Sequence, residues 1–108
     1  GNAKKIVCRS ITDNNIPKAF KSMQAFEIAP YHICSSTEKS WTGLHYAAVL
    51  SDATMFRFLI KMSYKMSPEN IIENLNLKTK EGWTPMMVAA IYGSEAVLNE
   101  VFSIGGID

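Results

Sequence analysis

Along the middle of the chain, apolar side chains return at helical intervals. Met55, Phe56, Leu59 and Ile60 follow an i, i+1, i+4, i+5 pattern, so Ala53 to Met62 is predicted to be an amphipathic helix with one buried side. Val97, Leu98, Val101 and Phe102 follow the same rule near the C-terminus. Each of these segments stands behind a break, Ser51-Asp52 or Gly93-Ser94, and before each break a shorter apolar stretch carries Ala-Ala followed by two larger apolar residues. The pattern predicts pairs of antiparallel helices: Thr42 caps the first helix of one pair, and a helix from Pro85 to Tyr92 opens the other. A weaker pair is predicted near the N-terminus, with Ile6, Val7 and Ile11 on one helix and Ala19, Phe20 and Met23 turned inward on the next.

Comparison of the chain with itself shows that two of these pairs are copies. Ser40-Trp41-Thr42-Gly43-Leu44-His45-Tyr46-Ala47-Ala48-Val49-Leu50-Ser51 lines up with Gly82-Trp83-Thr84-Pro85-Met86-Met87-Val88-Ala89-Ala90-Ile91-Tyr92-Gly93, an offset of 42 residues from Trp41 to Trp83. Both read small, Trp, Thr, turn, apolar, then Ala-Ala, two apolar positions and a small residue. A fixed internal period is the mark of a repeat array, in which each unit buries its face only against a neighbour.

The two copies resemble the ankyrin repeat, whose mark is Gly-x-Thr-Pro-Leu-His-x-Ala-Ala-x-x-Gly, and Leu75 to Gly82 is similar to the family's hairpin entering a new repeat. The resemblance covers Thr37 to Asp108 well and Lys4 to Met23 weakly. It implies an all-α solenoid of stacked helix-turn-helix repeats with short hairpin loops, in units of about 4–36, 37–78 and 79–108, the first degenerate. Because the ankyrin unit runs to about 33 residues, roughly nine are inserted. They are placed between Ser63 and Asn74, where Ser67-Pro68-Glu69 predicts a short extra helix over Pro68 to Asn74. Two positions depart from the motif: Gly43 replaces the turn proline and Met87 the histidine, so the Thr-His hydrogen bond is expected only between Thr42 and His45. Gly105-Gly106-Ile107-Asp108 resembles the exit toward a further hairpin, and more repeats are expected beyond it.

The resemblance implies a binding module rather than an enzyme, holding a protein or peptide on the hairpin tips and the concave face. Carried over position by position, the contact residues are Glu38, Lys39, Trp41, Val49 and Leu50 in the second unit, and Lys80, Glu81, Trp83, Ile91 and Tyr92 in the third. Exposed aromatic and aliphatic side chains rimmed by charge have the composition of an interface hot spot. The alternative for the tryptophans is that they fold back as cover for the core. A second functional reading keeps the same surface for packing on the catalytic or channel domain of a larger protein, as a regulatory or targeting segment.

Composition narrows the rest. Of 108 residues, 47% are apolar and 19% charged, and 11 basic against 10 acidic side chains leave a formal charge of +1 without any run of like charge. Nucleic acid is therefore not an expected partner. No apolar stretch approaches the roughly 20 residues of a membrane span. Gly1-Asn2-Ala3 reads as the remnant of a cleaved tag, and no secretory signal follows it. Cys8 and Cys34 are too few for a disulfide framework, which favours a reducing compartment and an intracellular protein, cytoplasmic or nuclear. His32 and Cys34 are at most half of a zinc site, since structural zinc takes four ligands. They are expected to pack as loop filler. His45 is expected to serve structure rather than catalysis, and no metal, cofactor or nucleophile motif is expected.

Overall fold

The computed structural model describes residues 2–32, 34 and 40–104. Its regular structure among those residues is seven α-helices and one 3-10 turn. In chain order these are α1 (Asn2–Thr12), α2 (Ile16–Phe26), α3 (Gly43–Ala48), α4 (Thr54–Met66), the 3-10 turn Pro68–Asn70, α5 (Ile71–Leu75), α6 (Pro85–Ile91) and α7 (Glu95–Ile104). Helix α1 packs on α2 and α3, α3 on α4 and α6, and α7 on α6 and α4. Three helix pairs are therefore layered in sequence order, with α1, α3 and α6 as the inner row and α2, α4 and α7 as the outer row.

Local chemistry sets the helix ends. Asn15 accepts the Lys18 amide at 3.2 Å ahead of α2, with Pro17 in the first turn where its missing N–H is not needed. Glu27 closes that helix in the left-handed region at φ 55. Thr42 and Thr84 cap α3 and α6 by accepting the amides of His45 and Met87. Asp52 accepts the Thr54 amide at 2.6 Å before α4. At Gly82 (φ +90) the backbone turns as only glycine does cheaply, whereas Ser40 adopts the same left-handed conformation (φ 56) one period earlier.

The core forms where the layers meet. Val7, Ile11, Leu44, Met55, Phe56 and Leu59 are all buried, as are Val88, Val97 and Val101 further along the stack. Burial of this kind is a collective effect of about 1.5–3 kcal/mol per large aliphatic or aromatic side chain. Small residues are required where helices approach closely: Ala47, Ala48 and Ala89 are fully covered. The inserted segment adopts a 3-10 turn and one α-helical turn, with Ile71 and Leu75 buried. Ser67 stands at its start, but its hydroxyl meets the Asn70 amide side chain at 2.9 Å rather than a backbone amide. On the outer row Arg57 of α4 donates to Glu100 of α7 from Nε at 2.9 Å and from a terminal nitrogen at 2.6 Å. With Arg57 54% exposed, that pair is screened by solvent and adds little to stability.

Several expectations are corrected. Phe102, expected to share the buried side of its helix, is 63% exposed, and Ile6 is 39% exposed, because each lies on the side of its helix away from the stack. Helix α4 runs four residues past Met62. The largest correction concerns the cysteines: Cys8 and Cys34 are joined in a disulfide, their Cα atoms 5.7 Å apart. Fold geometry brings together two residues whose sequence spacing carried no sign of it. Cysteine usage therefore offers no argument for a reducing compartment, and Cys34 has no thiolate for a metal.

Candidate functional site

The hairpin that carries Lys80, Glu81 and Trp83 is tied by a hydrogen bond to the repeat before it. His45 Nδ1 accepts the Thr42 amide at 3.1 Å and lies 2.9 Å from the Thr42 hydroxyl, so Nε2 carries the proton and donates to the Trp83 carbonyl at 2.9 Å. That carbonyl also accepts the Thr79 amide at 2.8 Å, and the Trp83 amide donates to Thr79 Oγ1 at 3.1 Å. One buried imidazole thus ties the turn of the second unit to the hairpin of the third. Burial pushes the His45 pKa below the ordinary imidazole range, although bonds to the Trp83 and Leu77 backbone pull the other way. Both ring nitrogens are occupied in structural bonds, so this histidine is not available as a general base. His32 accepts the Ala29 amide at 2.9 Å, and its pKa is lowered by burial and by the nearby Lys4 charge.

Gly43 explains the missing turn proline. A Cβ there would come within 2.9 Å of Ile11 Cδ1 and 3.0 Å of the Pro30 carbonyl oxygen. The Leu44 amide donates to that same carbonyl at 3.3 Å. The first unit therefore sits so close to α3 that a Cβ at its start would press on the Ile11 side chain and the Pro30 carbonyl.

The expected contact residues separate into two groups. Trp41, Val49, Leu50 and Tyr92 meet around a hollow of about 220 Å³, together with Thr12 and Tyr46. Thr12 ends α1, Val49 and Leu50 follow α3 and Tyr92 follows α6, so all three units contribute to one surface. Tyr92 is 54% exposed at its rim, but Trp41 is only 8% exposed, against the expectation of an exposed side chain. Its ring lies 5.0 Å from Tyr46 and 6.0 Å from His45, so it covers its own unit. Lys80 and Glu81 are exposed at the hairpin tip beside a half-buried Trp83, away from the hollow. Ile91 is exposed but does not line the hollow. Glu38 and Lys39 lie outside the described residues.

Sequence reasoning missed Thr12 and Tyr46. Tyr46 lies four residues before Leu50 and hence on the same side of the chain, a spacing that could have revealed it. Thr12 belongs to the degenerate unit, where no motif marks the position. Among the described residues no group of His, Cys, Asp and Glu is placed to hold a metal ion, and no helix is long and apolar enough to cross a membrane.

A family model for ankyrin repeats matches residues 8–108 in three copies. The chain belongs to the ankyrin-repeat family. Neither the curated proteins nor the solved structures compared with it include a match. Ankyrin repeats are generally non-catalytic modules for protein–protein interaction. The match begins at Cys8, within α1, and runs on through α2. In this ankyrin stack the Thr42–His45 turn keeps the motif's hydrogen bonds, and Thr84 holds the next turn without a histidine.

Proposed function

We propose that the chain holds a segment of a partner protein against the concave surface, with a large apolar side chain of that partner seated in the hollow between Leu50 and Tyr92. The observation that carries this reading is the continuity of the hollow across all three units, from Thr12 through Val49 and Leu50 to Tyr92. Its size supports a side chain rather than a cofactor, since small-molecule sites run to about 300–1,000 Å³. The lining also favours it: tyrosine and aliphatic groups are the usual anchors of interface hot spots, and both tyrosines keep a hydroxyl able to fix a peptide backbone. Lys80 and Glu81 at the hairpin tip supply charged contacts outside the apolar centre, where they tune orientation and association rate more than affinity. Trp41 acts in this reading as the floor that holds Tyr46 in place.

The test is binding measured against the partner recovered with the wild-type chain, using Leu50→Ser and Tyr92→Ala variants and a control, Lys61→Ala, on the exposed side of α4. Each hollow variant is expected to weaken binding at least tenfold, about 1.4 kcal/mol, while circular dichroism and the control stay unchanged. Equal binding by all three variants would remove the concave hollow from consideration.

A further inference from the structure

The second and third units are each tied to the unit before them, and the two ties differ in chemistry. The Asn15 amide returns to the Ser10 carbonyl at 2.9 Å and the Ser94 amide to the Ala89 carbonyl at 2.8 Å, the same turn at the exits of α1 and α6. Ser10 therefore matches Ala89 and, through the period of 42 residues, Ala47. Burial agrees, since Val7 and Ile11 are covered as Leu44 and Ala48 are. Two residues earlier in each unit, Cys8, His45 and Met87 share one position. Cys8 thus stands in the first unit where the second has its structural imidazole.

The other side of each tie matches as well. The Cys34 amide donates to the Trp41 carbonyl at 2.8 Å, as the Thr79 amide donates to the Trp83 carbonyl at 2.8 Å. Cys34 and Thr79 therefore hold equivalent places before α3 and α6. His45 reaches forward from α3 to the third unit through the Trp83 carbonyl. Cys8 reaches forward from α1 to the second unit through its bond to Cys34. One junction is held by a hydrogen bond that no reductant breaks, the other by a bond open to thiol exchange.

We propose that the Cys8–Cys34 disulfide is a redox-controlled substitute for the imidazole tie, holding the first unit in register while oxidised and releasing it on reduction by a dithiol. A thiolate of the dithiol attacks the sulfur of Cys8, the less buried cysteine, and Cys34 departs as a thiolate. The second thiol then displaces Cys8 from the mixed disulfide. Two electrons and two protons pass to the chain, and the dithiol is oxidised to its own disulfide. Lys4, one turn before Cys8 on α1, lines the same narrow space as both cysteines, and its ammonium favours the departing thiolate. The consequence for binding rests on the function proposed above: Thr12 and Trp41 stand on either side of this junction and both line the concave hollow. The hollow is complete only while the bond is closed.

The test uses the whole chain without denaturant, oxidised, reduced with dithiothreitol and reoxidised, beside a Cys8→Ser/Cys34→Ser variant. Amide exchange followed by nuclear magnetic resonance compares the matched positions 34 and 79. Acrylamide quenching in a Trp83→Phe background, which leaves Trp41 as the single tryptophan, reads the floor of the hollow. Reduction is expected to release both thiols, to speed exchange at position 34 about tenfold or more with position 79 unchanged, and to raise Trp41 quenching about twofold. Reoxidation should restore each value, and the serine variant should match the reduced protein with or without dithiothreitol. A bond that dithiothreitol leaves intact would overturn the proposal, as would unchanged exchange at position 34 or unchanged Trp41 quenching. Equal acceleration at both positions, or a serine variant that does not fold, would overturn it too, because the bond would then be a staple of the whole chain. No readout here involves the partner, so normal binding by Leu50→Ser and Tyr92→Ala would remove the concave reading and leave the tie standing.

Discussion

Reducing the bond between Cys8 and Cys34 should cost this protein a large part of its stability. The bond ties α1 to the segment before α3 and closes a loop with a sequence separation of 26. In the chain-entropy description, a loop of that size removes about 3.5 kcal/mol of freedom from the unfolded chain. Total stability for 108 residues is on the order of 5–15 kcal/mol, so the effect is far from marginal. The linkage also holds the first unit where its contacts are narrow, around Ile11, Pro30 and Gly43. Replacing both cysteines by serine, or adding reductant, should therefore lower the urea midpoint by about 2 M for a slope of 1–3 kcal/mol per molar. Hydrogen exchange should show α1 and α2 losing protection before α3 and α4. Thiol titration under denaturing conditions establishes the redox state of each sample. Equal midpoints for oxidised and reduced protein would refute the reasoning, as would a first loss of protection in α7.

Three further outcomes follow from the packing. Gly43→Ala should destabilise by about 1–3 kcal/mol, the usual cost of overpacking, because its Cβ would press on the backbone oxygen of Pro30; chemical denaturation measures it. Ser40→Gly should raise the melting temperature, since relief of a left-handed non-glycine residue is worth roughly 1 kcal/mol, and an unchanged melting temperature would contradict the strain. His45 titrates lower in the folded chain than its ordinary value of 6.5, so the unfolded chain binds more protons and stability falls as pH drops below about 6.5. His32 has the same sign, so urea midpoints at several pH values should show a slope that His45→Gln lessens without abolishing, beside an overall loss from the broken bond to Trp83.

Much of the architecture was legible along the chain because repeats write their packing into a period. Thr42, His45, Ala47 and Ala48 each have a local reason to stand where they do: a cap, a turn bond, and small side chains where the next helix passes. The same holds for Pro68 in the insertion and for the pattern that placed Met55, Phe56 and Leu59 inside. The candidate site was legible only in outline. Val49, Leu50 and Tyr92 were expected on one surface and share it, but the lateral distance between helices separates them from Lys80 and Glu81.

What the sequence by itself determined is the set of relations that act over one helical turn or one repeat: the existence of the helix pairs, the threonine caps, the inward residues of α4, and the stacking order. Only the tertiary structure decided relations between side chains with no common period. It joined Cys8 to Cys34, set Gly43 against Pro30, turned Trp41 inward over Tyr46, and left Phe102 outside. The physical reason is range. Caps and amphipathic patterns are local energies readable in neighbouring residues, whereas a disulfide, a close approach or an uncovered end depends on where whole helices come to rest.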